Sequence, residues 1–269
     1  MKSVIVTGAS SGIGRASTIR LVQAGYRVFG LARSYNKLSE LSQELPAGSY
    51  VPVEFDVTKP ETFGPIVDRI AGKGQIFGLV NNAGYVEPGA IEDITMASLR
   101  IQFETNFFGL IGLTKQVLPL MIQKNEGRIV SVSSMAGLVS LPLIGAYCAT
   151  KHALEAVADA LRMELWNTGV RVANINPGVI ETNIHAVTNS KLDRLKNSRF
   201  EKAYKKYLRG AHKGLPASIV ADAIVDAISS PNPRPRYIIG SGREKTGIRL
   251  RHYIPDTLFY SQAAKRILA

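Results

Sequence analysis

The stretch that most limits what this chain can fold into is its beginning. Lys2 to Thr7 is a short β-branched run, it breaks at Gly8-Ala9-Ser10-Ser11-Gly12-Ile13-Gly14, and Arg15 to Ala24 follows with helical composition. A strand that turns through glycines into a helix lets the backbone come close to a pyrophosphate. The N–H groups and positive end of the helix then attract the phosphates. A tight turn alone would also use glycine, so the rest of the chain has to decide between the two.

The pattern recurs. Arg27 to Leu31, Tyr50 to Phe55, Phe77 to Val80, Arg128 to Val132 and Arg171 to Asn176 read as strands. Helical stretches separate them at Pro60 to Ala71, Ser98 to Gln123 and Ala146 to Asn167. A further helix is expected at Pro216 to Ser229, and Tyr237 to Gly240 adds a last strand. Such alternation predicts an α/β fold, a Rossmann-type doubly wound parallel sheet of about seven strands with helices on both faces. Nothing in the middle resembles a linker, so residues 1–269 are expected to form one domain.

In such a sheet the carboxyl ends of the strands line the ligand crevice. Ala32-Arg33-Ser34 occupies that place after the second strand, where an Asp or Glu would accept the 2′-hydroxyl of an NAD ribose. Arg33 instead offers a planar, permanently charged fork suited to a phosphate, which favours NADP. Asp56 and Val57 end the third strand; Asp56 suits an adenine contact or a cap on its own turn. Asn82, Ala83 and Gly84 follow the fourth strand as a loop whose side chains can bond backbone and hold the crevice in shape. Asn106, in an otherwise apolar helix, needs a partner if buried.

Tyr147 and Lys151 stand four positions apart on a predicted helix and therefore share a face. That spacing fits a solvated helix face, and it also fits a phenol whose pKa a nearby cation lowers toward acid–base use. Ser133 and Ser134 supply hydroxyls at the end of the fifth strand.

Together these pieces resemble the short-chain dehydrogenase/reductase family from Lys2 to about Thr182. Thr7-Gly8-xxx-Gly12-x-Gly14 is similar to its cofactor loop, Asn81-Asn82-Ala83-Gly84 to its sheet-stabilising segment, and Tyr147-xxx-Lys151 to its active site. The resemblance implies a catalytic tetrad of Asn106, Ser134, Tyr147 and Lys151. The family spacing of thirteen positions before Tyr147 selects Ser134 over Ser133. It also implies cofactor contacts from Ser10, Ser11, Ile13, Pro177, Gly178, Ile180 and Thr182. Tyr147 would exchange a proton with the substrate oxygen while a nicotinamide exchanges hydride with its carbon. Lys151 would lower the phenol pKa and hold the nicotinamide ribose, Ser134 would orient the oxygen, and Asn106 would hold a relay water.

The resemblance points to an NADP(H)-dependent oxidoreductase for a small carbonyl or alcohol, on an apolar or lipid-like molecule of the steroid or retinoid kind. One alternative is a 3-oxoacyl-carrier reductase, and one from another class is a catalytically silent NADP-binding regulatory protein. A homodimer or homotetramer is the family default.

Charge divides the chain. Up to Asn183 there are 16 basic and 15 acidic residues, against 17 and 6 from Ile184 onward, so the net +12 belongs to the last third. No nucleic-acid motif accompanies it. The segment 184–215, expected to cover the substrate, carries Phe200, Tyr204, Tyr207 and Leu208 as an apolar stripe with cations opposite. Core packing explains that stripe, and so does an apolar substrate channel. The tail 243–269 mixes Arg249, Arg251, Lys265 and Arg266 with apolar residues, a composition that suits a partner subunit or peripheral contact with a membrane. No apolar run reaches membrane-spanning length, and the single Cys148 fits a reducing, cytoplasmic setting. The four histidines lack metal-ligand spacing, so no metal site is expected.

Overall fold

The computed structural model describes residues 1–181, 195–208 and 214–268, apart from the side chains of residues 207, 208 and 252. Strands β1 (Ser3–Thr7), β2 (Arg27–Ala32), β3 (Tyr50–Glu54), β4 (Ile76–Asn81), β5 (Gly127–Val132) and β6 (Val170–Pro177) form the sheet. Its last member is β9 (Arg236–Ile239), and the order is β3-β2-β1-β4-β5-β6-β9. Each neighbouring pair in that order is parallel. Strands buried on both faces need continuous apolar runs, and Val4, Ile5, Val6, Leu79, Val80, Ile129 and Val130 supply them. A small pair, β7 (Ile180–Glu181) with β8 (Leu215–Pro216), lies outside the sheet.

Helices cover both faces and divide the core in two. On one side α1 (Gly12–Gln23), α2 (Tyr35–Glu44) and α8 (Ala217–Ser229) pack through Leu21, Leu38, Leu41, Val220 and Ile224. On the other, α3 (Phe63–Ala71), α5 (Gly109–Gln123) and α6 (Gly145–Glu164) pack through Phe63, Val67, Leu110, Leu113 and Leu154. The chain reverses direction across the sheet between β1 and β4, and that switch point opens the crevice at their carboxyl ends.

Three elements differ from the sequence expectation. Tyr35–Glu44 is a helix that the polar sequence did not reveal; only Leu38 and Leu41 are buried, too short a stripe to stand out. The single helix expected over Ser98 to Gln123 is broken. Helix α4 (Met96–Phe103) passes through a π-helical turn at Glu104–Phe108 before α5 begins. The tail, whose composition suits a partner subunit or a membrane, folds onto this chain: α9 (Gly242–Leu250) opens on a Ser241/Glu244 capping box, and α10 (Asp256–Leu268) buries Ile267. Ile267 joins Leu143, Leu195, Ala203 and Tyr204 in a third apolar cluster, so the tail packs on α7 (Glu201–Leu208). For Phe200 and Tyr204 the stripe is core packing, while Lys202, Lys205 and Lys206 point outward. Among the described residues no helix is long and apolar enough to cross a membrane.

Candidate active site

The glycine loop is held from two sides. The Gly8 N–H bonds Leu31 O at the end of β2, at 2.7 Å. From the segment after β4, the main-chain N–H groups of Asn82 and Ala83 both donate to the Thr7 hydroxyl, at 2.9 and 3.0 Å, and Asn82 Nδ2 donates to Thr7 O at 2.8 Å. This knot closes the β1–β4 switch point under the loop. Gly8 and Gly12 have φ of +68° and +51°, where a side chain is strained. A methyl group on Gly14 would overlap Gly8 O and crowd Asn82 Nδ2.

Ser11 sits at the N-cap of α1 without a side-chain bond to the turn, and no acidic residue lies in that turn. Ser10 is half-buried on the loop, and Ile13 packs its side chain on the core. A helix start left in this way, with backbone drawn tight beneath it, fits a dinucleotide pyrophosphate.

Arg33 is exposed directly after β2. Asp56 Oδ1 accepts from the Thr58 N–H and hydroxyl, at 2.9 and 2.8 Å, so the carboxylate caps its own turn. Burial pushes its pKa up, but the Thr58 bonds and the charges of Arg33 and Lys59 outweigh this and leave it lowered. Val57 is buried, and its carbonyl lies so close to Gly109 that a methyl there would overlap it.

Five candidate residues converge beyond the crevice. Asn106, fully buried in the π-helical turn, accepts from the Tyr85 N–H at 3.0 Å and donates to Tyr85 O at 2.9 Å and the Thr150 hydroxyl at 3.3 Å. A Cβ on Gly84 would lie 3.2 Å from Asn106 Oδ1 and 3.7 Å from Lys151 Nζ, which puts this exposed glycine between the two. Lys151 Nζ donates to Val132 O at 2.7 Å and sits 5.7 Å from the centre of the Tyr147 ring. Ser134 accepts from the Ala136 N–H at 3.0 Å, donates to Pro177 O at 3.3 Å, and hydrogen-bonds the Tyr147 phenol. The Ser133 hydroxyl is buried without a partner, so Ser134 is the serine that meets the phenol.

Electrostatics here run against one sequence expectation. Burial pushes the Tyr147 phenol up to about 12, although the Ser134 bond pulls the other way, and burial pushes the Lys151 ammonium down to about 8. Both groups leave water for a poorly polarisable site, and for the phenol that cost exceeds what the Ser134 bond returns. The phenol is accordingly protonated at neutral pH.

Gly178 follows β6, its N–H bonded to Ile239 O at 2.7 Å, and Ile180 is buried in β7. Thr182 lies outside the described residues. Four neighbours were not picked out from sequence: Thr7 as the knot, Glu244, which bonds the Val179 N–H at 3.2 Å, and the buried pair Asn176 and Glu155. Glu155 had a legible signal, an acid four positions beyond Lys151 on its buried face. Among the described residues no group of His, Cys, Asp or Glu is arranged to hold a metal ion.

A family model of short chain dehydrogenases matches residues 2–193. The chain belongs to that family of oxidoreductases. It is 35% identical over 238 residues to the uncharacterized oxidoreductase YbbO of Escherichia coli K12, covering 88% of this chain and 84% of that one. It is 32% identical over 281 residues to the NADPH-dependent 3-dehydrocapnine reductase of Ornithobacterium rhinotracheale, covering 98% of each. Among solved structures, a short chain dehydrogenase/reductase from Burkholderia phymatum in complex with NAD superposes with a TM-score of 0.82 at 27% identity, over 94% of this chain and 93% of that one.

Proposed function

We propose that this protein is an NADP(H)-dependent reductase of an apolar or lipid-like carbonyl compound, able to run as an alcohol dehydrogenase in reverse. The observation that carries this reading is the convergence of the Tyr147 phenol, the Ser134 hydroxyl and the Lys151 ammonium at the carboxyl edge of β5. The nicotinamide, when bound, supplies the hydride in reduction and accepts it in oxidation. Ser134 holds the substrate oxygen and Tyr147 donates its proton there, a role for which a protonated phenol is the required form. Lys151 keeps positive charge beside the oxygen and engages the nicotinamide ribose. The Asn106 side chain is already engaged with Tyr85 and Thr150, so a relay water would be held at the main chain of the π-helical turn.

For the cofactor, Gly8, Ser10, Ser11, Gly12, Ile13 and Gly14 would cradle the pyrophosphate, and Asp56, Val57, Asn82, Ala83 and Gly84 would line the adenosine side. Pro177, Gly178, Ile180 and Thr182 would cover the nicotinamide. NADP over NAD rests on Arg33, exposed directly after β2 where Ala32-Arg33-Ser34 carries no Asp or Glu. The NADPH dependence named for the 3-dehydrocapnine reductase supports the same choice. Losing one charge-assisted contact weakens binding about ten- to a hundred-fold. Arg33→Ala is therefore expected to raise KM for NADPH by that factor and leave NADH kinetics unchanged; equal effects on both cofactors would remove Arg33 from this role.

The segment 184–215, of which 195–208 and 214–215 are among the described residues, would cover the substrate, with α7 as its anchor. Tyr204 Oη donates to Asp93 Oδ2 at 2.6 Å and accepts from the Ala90 N–H at 2.5 Å, while Ser198 also bonds Asp93 at 2.7 Å. Tyr204→Phe leaves that N–H unpaired, at a cost of about 1–3 kcal/mol. The expected result is a higher KM for the carbonyl substrate with unchanged NADPH affinity. An unchanged KM would separate α7 from substrate binding.

The run Leu138 to Leu143, which follows Ser134 and precedes Tyr147 along the chain, is apolar apart from Ser140, a composition that suits an apolar substrate. Exposed Phe108 (52%) and Trp166 (84%), beside α5 and α6, support assembly into a homodimer or homotetramer. Exposed Leu250, Tyr253, Leu258 and Tyr260 near Arg249 and Lys265 leave peripheral membrane contact within the proposal. Light scattering and flotation of anionic vesicles check these two in turn. Cys148 as a free thiol fits a reducing, cytoplasmic setting.

A further inference from the structure

The buried face of α6 carries a second charge that the proposed chemistry does not use. Glu155 lies one turn beyond Lys151, and both are nearly out of reach of water, at 5% and 4% exposure. A carboxylate at such depth needs its own partners. Two strands supply them: Arg236 of β9, whose Nε bonds Oε2 at 2.7 Å, and Asn176 of β6, whose Nδ2 bonds Oε1 at 2.6 Å. The same Asn176 Nδ2 also reaches the main-chain oxygen of Ser134 at 3.2 Å. Arg236 is steadied in turn by Asp159 at 2.6 Å.

We propose that Glu155 is a positioning residue of the active site: fixed by Arg236 and Asn176, its carboxylate is the counter-charge that keeps Lys151 protonated and the tie that holds the Ser134 segment in place. This rests on the reading of Lys151 and Ser134 given above, and it extends that site to the last strand of the sheet.

The geometry gives Glu155 both tasks. It is the acidic group whose charge acts on the lysine, raising a pKa that burial otherwise lowers. Around Lys151, α6 itself contributes Tyr147 and Cys148, then Glu155, and further out Asp159 and Arg162. β9 contributes Arg236, and the π-helical turn carries Glu104 on its exposed side. The segment after β4 carries Tyr85 and Glu87. Asn106, Ser134, Asn174 and Asn176, from the π-helical turn, the turn after β5, and β6, do not titrate. Holding Glu155 between Arg236 and Asn176 also stops it from swinging to solvent or closing directly on Lys151, whose ammonium remains on Val132 O.

The test is the titration of Lys151 itself, followed by the ¹³Cε shift in lysine-labelled full-length protein, with the resonance assigned by its loss in Lys151→Arg. The native protein is expected to titrate near pH 8. In Glu155→Gln the midpoint should fall by about one pH unit. The alkaline limb of kcat/KM for carbonyl reduction should move with it, making turnover about five-fold slower at pH 8. Glu155→Asp, which restores a carboxylate on the same face, should recover most of both. If the glutamine variant does not fold, Glu155→Met paired with Arg236→Met gives the same reading, since replacing both partners of a buried ion pair with apolar residues of similar volume can be neutral for stability. Glu164→Gln, at the exposed end of α6, should leave both readouts unchanged. A Lys151 midpoint that does not move when the Glu155 carboxylate is removed, in Glu155→Gln or in the paired methionine variant, overturns the proposal. The titration needs no substrate, so it stands apart from the redox reading: that reading fails if Tyr147→Phe turns over normally, whatever Lys151 does.

Discussion

Replacing Tyr147 with Phe is expected to cut carbonyl reduction by about 10²- to 10⁴-fold, the range that a positioned general acid contributes. The ring stays, and with it the packing of α6 against the segment after β5. What goes is the hydroxyl that meets Ser134. NADPH binding, measured by cofactor fluorescence, should change little, because the cradle around Gly8 to Gly14 and the Asn82 knot are untouched. If NADPH affinity collapsed along with turnover, the phenol would be part of the cofactor site rather than the proton donor. If turnover persisted, another group would have to supply the proton, and Ser134 would be the next to test.

The second large effect is expected at Gly14. A methyl group there would overlap the Gly8 carbonyl and press on Asn82 Nδ2, both of them fixed: Gly8 by Leu31 O, Asn82 by Thr7. Neither neighbour is the free end of a flexible side chain, so the loop or the start of α1 must shift. Displacement of about 1 Å at a positioning element can cost 10²-fold. Gly14→Ala should therefore weaken NADPH binding by about a hundred-fold or more. Overpacking also costs about 1–3 kcal/mol of stability, visible as a lower Tm. The two effects separate by measuring affinity well below that Tm. A normal Kd would show that the glycine serves helix–sheet packing and leaves the phosphates to other groups.

Much of this architecture was legible in the sequence because the sheet is parallel. Strands covered on both faces need short unbroken apolar runs, and runs such as Val4 to Val6 and Ile129 to Val130 stand out against the helices between them. The glycine loop was legible for a stricter reason, since Gly8 and Gly12 occupy φ values that other residues avoid. Tyr147 and Lys151 were readable as a pair because helix geometry alone puts positions four apart together.

What the sequence concealed depends on contacts between distant segments. Nothing local to Thr7 announces that its hydroxyl will accept two N–H groups from the segment after β4. The π-helical turn at Glu104–Phe108 has no breaker at its start, and Asn106 makes sense there only once Tyr85 and Thr150 are beside it. Likewise, the tail read as a basic extension suited to a partner subunit or a membrane, because only a few residues, Ile267 and Leu268 among them, fasten it to α7 and the Leu141–Leu143 segment. The expected lowering of the Tyr147 pKa by Lys151 failed on burial, a quantity that spacing along a helix does not report.

The central claim, hydride exchange between NADPH and a carbonyl carbon with Tyr147 as proton donor, is met most directly by one assay. Purified protein is incubated with NADPH and a panel of ketones and aldehydes of graded apolar size, and NADPH loss is compared with alcohol formed. The account predicts one alcohol for each NADPH consumed, with rates that rise with apolar size and vanish in Tyr147→Phe. Tight NADPH binding with no alcohol formed from any member of the panel would contradict it, and would leave a cofactor-binding protein without this chemistry.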